Sequence, residues 1–296
     1  MKRFNIPKFN AVELATICYL LVTGAFVGFN YRVIENAWVH LTARLLMLAI
    51  IYFIAKKREK GIAQPFIAFL SKTYPLVFLA YLYPETDALN NVFYQNLDMR
   101  FVYFEYSIFG FQPSIEFYKH FPNTWMIELM SFGYFSFYLI LIGGLAWIYF
   151  KNLYSFDRAI FIVCSSFYVY YLIFIIFPVV GPHFFFSSPD NFVGMAGPFR
   201  WAMSWIELLG ERPTAAFPSS HIGITVILLI LIYREQKLFS LTLLPIFILL
   251  AFSTVYMKAH YVIDVFAGFI TGLLFYWFFD FIYAIFQKAN QGGIKS

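Results

Sequence analysis

Arg212-Pro213-Thr214-Ala215-Ala216-Phe217-Pro218-Ser219-Ser220-His221 opens, and Ser253-Thr254-Val255-Tyr256-Met257-Lys258-Ala259-His260-Tyr261-Val262-Ile263-Asp264 closes, an apolar hairpin turned at Arg234-Glu235-Gln236-Lys237. One apolar run leads out from Ser219 and a second returns from Leu238, which brings both polar ends to the same side of a bilayer. His221 thereby comes within reach of His260 and Asp264. Two imidazoles and a carboxylate form a candidate catalytic cluster in a chain with 5 histidines.

The composition around this hairpin is that of a membrane protein. Hydrophobic residues make up 61% of the 296 and charged residues 12%, about half the usual share in a soluble domain. The apolar runs are continuous, not alternating, so the expected fold is an all-α polytopic membrane helix bundle and not a barrel. The expected spans are 11–29, 37–55, 65–83, 126–150, 159–180, 219–233, 238–257 and 260–286, about eight transmembrane helices. The first follows Lys2, Arg3 and Lys8 but is long and is followed at once by a second, which favours a retained span over a signal peptide. Lys72 and Pro75 weaken the third. The chain divides into two N-terminal helices (1–60), a six-helix catalytic core (61–290) and a tail (291–296).

Two stretches between spans read as interfacial helices on the site face. Phe93, Leu97, Phe101, Phe104 and Ile108 recur at helical spacing, with Asp98, Arg100 and Glu105 on other faces. The loop 181–217 is broken by Pro and Gly and holds Trp201 and Trp205 four apart. Cys18 and Cys164 lie in apolar runs and read as small buried residues.

Basic residues set the orientation. Lys2, Arg3, Lys8, Lys56, Lys57, Arg58, Lys60, Lys151, Arg158, Arg234, Lys237, Lys288 and Lys295 fall on one side if both termini are cytoplasmic. This accounts for the net charge of +5 without a nucleic-acid partner. It also puts the histidine cluster on the outer face, periplasmic if the membrane is a bacterial inner membrane. No nucleotide-binding glycine loop and no His-Glu-x-x-His pattern occurs, so neither cofactor nor metal is expected.

Each candidate residue has a structural alternative. His260 and Asp264, expected on one face at a helix start, form either a carboxylate-oriented nucleophile or a helix cap. Ser219 and Ser220 at the start of the sixth span are either N-caps or part of a phosphate cradle of free amides, with His221 inside it as proton donor. Lys258, Arg212 and Arg200 are either phosphate ligands or snorkelling cations, and for Arg200, beside Trp201, snorkelling is the preferred reading. His183 follows Gly-Pro and lines an entrance at most. His40 and His120 have no polar constellation in the sequence.

Pro218-Ser219-Ser220-His221 with Ser253 and His260-x-x-x-Asp264 resembles the second and third signature motifs of the type 2 phosphatidic acid phosphatase superfamily. Ser253-Thr254-x-Tyr256 with His260-Tyr261-x-x-Asp264, Phe177-Pro178 with Gly181-Pro182, and Phe109-Gly110 with Gln112-Pro113-Ser114 are similar to its inositol phosphorylceramide synthase branch. The likeness covers about residues 90–286. Ser220 stands where the phosphatases usually have Gly, Thr254 stands where they have Arg, and their first motif is not found in proper form. The resemblance implies a phosphohistidine on His260, held by Asp264, with His221 protonating the leaving oxygen. Ser219, Ser220, Lys258 and Arg212 would bind the phosphate, and Lys258 would replace the missing arginine. Membrane lipids would be the substrates, with no obligatory protein partner. The expected activity is headgroup-phosphate transfer to a ceramide-like lipid or, alternatively, lipid phosphate hydrolysis. A transporter with substrate-binding histidines is the rival of another class; of the ionisable groups only Lys72 beside Pro75 suits it.

Overall fold

The computed structural model describes residues 7–61 and 65–292. Lys2, Arg3 and Lys295, counted above as inner-face charges, and the end of the 291–296 tail lie outside the described residues. The described chain is helical throughout: α1 Ala11–Phe29, α2 Ala37–Glu59, α3 Pro65–Leu89, α4 Asp98–Phe109, α5 Pro113–His120, α6 Thr124–Lys151, α7 Leu153–Ile176, α8 Pro182–Phe185, α9 Pro198–Gly210, α10 Ser220–Glu235, α11 Lys237–Tyr256 and α12 Val262–Gly292. The eight expected runs are the eight long helices. Among the described residues, α1, α2, α6, α7, α11 and α12 are long and apolar enough to cross a membrane. α10 has 16 residues, about 24 Å of helix, and lies inside the bundle.

Local chemistry sets the helix ends. Asn10 and Glu13 form a reciprocal capping box at α1, with bonds of 2.9 and 2.8 Å. Asn152 closes α6 through its amide, bonded to Ile148 O at 2.8 Å, and opens α7 through its side chain. Gln236 is the single residue between α10 and α11, so the hairpin turn is as tight as its charged sequence implied.

α7 is the buried centre and packs against α1, α3, α6, α10 and α12. α10 and α12 meet at glycines. A Cβ at Gly268 would lie 2.4 Å from the Ser219 carbonyl oxygen, and one at Gly272 would lie 2.6 Å from the Gly223 carbonyl oxygen. Only small residues allow this approach.

Several sequence expectations are corrected. Arg44 of α2 forks onto Glu85 of α3 at 2.6 and 2.9 Å, and His40 joins through Nδ1 at 2.8 Å, so His40 does have a polar partner set. Lys72 pairs with Asp157 near the start of α7. Arg58 and Glu13 bond at 2.6 and 2.7 Å near the start of α1. Cys18 is exposed on the outer wall of α1, whereas Cys164 is buried as expected.

Candidate active site

The two signature segments are bolted together by their backbones. Ser219 caps α10, its Oγ accepting from the Ile222 amide at 3.5 Å, while its own amide donates to the Asp264 carbonyl oxygen at 3.0 Å. The first amide of α10 to bond back along the helix is Gly223, to Ser219 O. The Ser220 and His221 amides therefore have no helical acceptor and sit at the positive end of the helix dipole.

His260 is not on α12. α11 ends at Tyr256 and the chain turns through Met257 to Tyr261 before α12 starts at Val262. The turn is a helix C-cap with Lys258 in the left-handed region, φ 64°, a place glycine usually takes. The Ala259 and His260 amides both donate to Thr254 O at 3.1 Å. Asp264 Oδ2 reaches back to accept from the Tyr261 amide at 2.8 Å, so it caps the helix and faces His260 together. The two readings of the His260–Asp264 pair were never exclusive.

The imidazole geometry is asymmetric. His260 Nδ1 lies 2.7 Å from the Ala216 carbonyl oxygen and 3.5 Å from Asp264 Oδ2. A carbonyl only accepts, so Nδ1 carries the proton and Nε2 keeps its lone pair. That Nε2 is 3.3 Å from His221 Nδ1. Burial, opposed by the Ala216 hydrogen bond, lowers the His260 pKa to about 4, so the ring is neutral at physiological pH. The His221 ring is held between Phe137 and Tyr134, with centroid distances of 4.4 and 5.0 Å.

Both histidines line a small cavity with Tyr83, Tyr134, His183, Glu211, Arg212 and Ser220. Its volume is about 30 Å³, enough for one or two waters. The sequence expectation of His183 at an entrance thus understated it. Its amide bonds to Lys258 O at 2.8 Å and its Nδ1 lies 3.1 Å from Asn191 O, which fix the ring at the cavity. Gly181 makes this possible, since a Cβ there would stand 2.6 Å from Ala259 O.

Of the expected phosphate ligands, Lys258 does not line this cavity. Lys258 is 1% exposed; its ammonium donates to the Asp190 carbonyl and lies 5.0 Å from the centre of the Tyr118 ring. Burial lowers its pKa to about 8. Arg200 does not snorkel: its guanidinium bonds both Glu207 oxygens at 2.8 Å inside the protein. Arg212 is exposed and lines the cavity, its guanidinium bonded to Glu211 O at 3.2 Å. Among the described residues no cluster of three or more His, Cys, Asp or Glu is spaced to hold a metal ion.

The sequence reading missed the two carboxylates that hold the site together. Asp98 and Glu105 are i and i+7 on α4, hence on one face, and both are buried. Asp98 accepts from the Val180 and Gly181 amides at 2.8 Å each and from the Tyr261 hydroxyl at 2.9 Å. Glu105 caps α12, accepting from the Val262 amide at 2.5 Å. Burial raises both pKa values, that of Glu105 to about 7. Between them Phe101 packs on Tyr261 and Phe217, so α4 covers both signature segments. The opposite face of α4 exposes Tyr103, Tyr106 and Ile108, and α9 exposes Trp201 and Trp205, as interfacial helices should.

A family model described as the PAP2 superfamily matches residues 104–278, more than half of the chain. The match contains both signature segments and begins after α1–α3. No curated protein and no solved structure matches the chain.

Proposed function

We propose that this chain, which belongs to the PAP2 superfamily, is an integral-membrane phosphotransferase acting on phosphate-linked lipid headgroups through a phosphohistidine. The observation that carries this reading is the setting of the His260 ring: Nδ1 is tied to Ala216 O, which leaves Nε2 unprotonated, 3.3 Å from His221 Nδ1. A neutral, buried imidazole with a fixed lone pair is a competent nucleophile.

In the first step His260 Nε2 attacks phosphorus and the bond to the leaving oxygen breaks. His221, carrying a proton on both ring nitrogens when substrate is bound, gives that oxygen a proton and is left neutral. The imidazolium formed on His260 is balanced by Asp264, 3.5 Å from Nδ1. The Ser220 and His221 amides and Arg212 stabilise the charge on the phosphoryl oxygens, and Ser219 holds these amides in place. In the second step an acceptor oxygen attacks phosphorus, the P–N bond breaks with its electrons returning to Nε2, and His221 takes the acceptor proton. Lys258 supports the turn that carries His260.

The acceptor we favour is a ceramide-like lipid alcohol. The exposed aromatic faces of α4 and α9 beside the site suit a second lipid lying over it, where exclusion of water protects the intermediate. The site faces the outer side of the membrane in this reading, with the termini cytoplasmic. Lipid mass spectrometry of cells with and without the gene tests it. Loss of a phosphosphingolipid supports transfer; unchanged sphingolipids with an accumulating lipid phosphate monoester would make the enzyme a phosphatase that uses water.

A further inference from the structure

The cavity contains one group that phosphate binding does not call for, a carboxylate. Glu211 follows α9, its amide bonded to Glu207 O at 3.1 Å, and its side chain shares the cavity with both catalytic histidines. The Tyr134 hydroxyl donates to its Oε1 at 3.5 Å, and among the described residues no protein donor meets its Oε2. A carboxylate beside a phosphate is a like-charge contact, which costs binding unless the carboxylate has its own partner.

A cation or a hydroxyl would serve. A quaternary or primary ammonium fits poorly, because Arg212 and His183 line the same space. The Tyr134 ring packs on His221 at 5.0 Å and the Tyr83 ring on Tyr171 at 6.2 Å. These tyrosines can offer their hydroxyl edges to a ligand. An arrangement of one carboxylate and two phenols is suited to a hydroxyl group.

We propose that Glu211, with the hydroxyls of Tyr134 and Tyr83, forms a subsite that binds a substrate hydroxyl, borne either by the headgroup or by the acceptor alcohol. This rests on the phosphohistidine reading above. The other groups facing Glu211 are Glu207 and Arg200 of α9, paired with each other at 2.8 Å, Tyr138 of α6, and Arg212, His183 and His221 around the cavity. Burial and then Glu207 raise the Glu211 pKa to about 7, against the lowering by Tyr134 and Arg200. A charged Glu211 is the stronger hydrogen-bond acceptor, so hydroxyl-dependent turnover rises as pH increases through about 7.

The test uses the full chain in lipid nanodiscs, with headgroup-phosphate-labelled phosphatidylinositol, phosphatidylethanolamine or phosphatidic acid as donor and ceramide as acceptor. Label on His260 and label in ceramide product are read separately. Glu211→Ala should lose least in labelling from phosphatidic acid, which has no headgroup alcohol. It should also lose about tenfold to a hundredfold either in labelling from phosphatidylinositol, which assigns the headgroup hydroxyl, or in discharge to ceramide, which assigns the acceptor. Glu211→Gln should lack the rise through pH 7 in that same step. Equal loss in labelling from all three donors would reduce Glu211 to a structural role. A selective loss with phosphatidylethanolamine would make the subsite cationic, and no loss would end the proposal. A wild-type protein that never labels at His260 would overturn the catalytic reading itself, and this inference with it.

Discussion

His260 Nδ1 stands 2.7 Å from the Ala216 carbonyl and 3.5 Å from the Asp264 carboxylate. The carbonyl is the ring's nearer partner, and the carboxylate has a second duty at the Tyr261 amide. Orientation and charge balance are therefore divided between two residues.

The division separates two substitutions at Asp264. Asp264→Ala removes both the cap and the charge and should lose nearly all turnover. Asp264→Asn keeps an oxygen for the Tyr261 amide and loses only the charge. We expect the Asn protein to fold with near wild-type thermal stability and to lose about tenfold to a thousandfold in kcat. Equal stability loss in both variants would show that capping needs the charge.

The Gly268–Ser219 contact gives a second expectation. A side chain at 268 must push α12 away from the residue that caps α10. Gly268→Leu should lower activity severely by moving His260 relative to His221, while membrane insertion is retained. Normal turnover in an inserted Gly268→Leu protein would contradict this.

Lys258 holds a left-handed backbone conformation that costs a non-glycine residue about 1–2 kcal/mol. Lys258→Ala keeps that cost and loses the contacts to Asp190 and Tyr118, so activity should fall about tenfold or more. Lys258→Gly relieves the backbone and should recover part of the stability lost in the alanine variant. If the ammonium instead meets substrate phosphate, the two variants should show the same increase in KM despite their different stabilities, and that comparison decides its role.

Much of this architecture was legible. The eight apolar runs became the eight long helices, and the hairpin from Arg212 to Asp264 brought its ends together because a tight turn at Gln236 leaves no other path. What escaped notice has a common cause. Asp98 binds amides 82 and 83 residues away, and Glu105 binds one 157 residues away. An acid on an amphipathic helix reads as solvated until its distant partners are known. His40 was misread for the same reason, its partner Glu85 lying 45 residues on. The His260–Asp264 spacing suggested a helix face, but the C-cap at Lys258 delays α12 by two residues. Two signals were readable: the spacing of seven between Asp98 and Glu105, and the same spacing between Arg200 and Glu207, each of which marks one helix face.

pH should act on His260 with a definite sign. Its folded pKa, lowered to about 4, lies below the unfolded value of about 6.5. Between these values the unfolded chain binds more protons, so His260's contribution is fully present above about pH 6.5 and is lost as pH falls towards 4. Thermal unfolding in detergent should show Tm falling through this window, with a shallower fall for His260→Gln. An identical slope in the variant would remove His260 as a source of the acid sensitivity.

The central claim is that His260, and not His221, carries the phosphoryl group. The direct measurement is brief exposure of the purified protein to headgroup-phosphate-labelled substrate, then quenching in alkali and mapping of the label. Wild-type protein should hold acid-labile label on His260. His221→Ala should still hold it when the leaving group needs no proton, and His260→Ala should hold none. Label retained by His260→Ala would contradict the account.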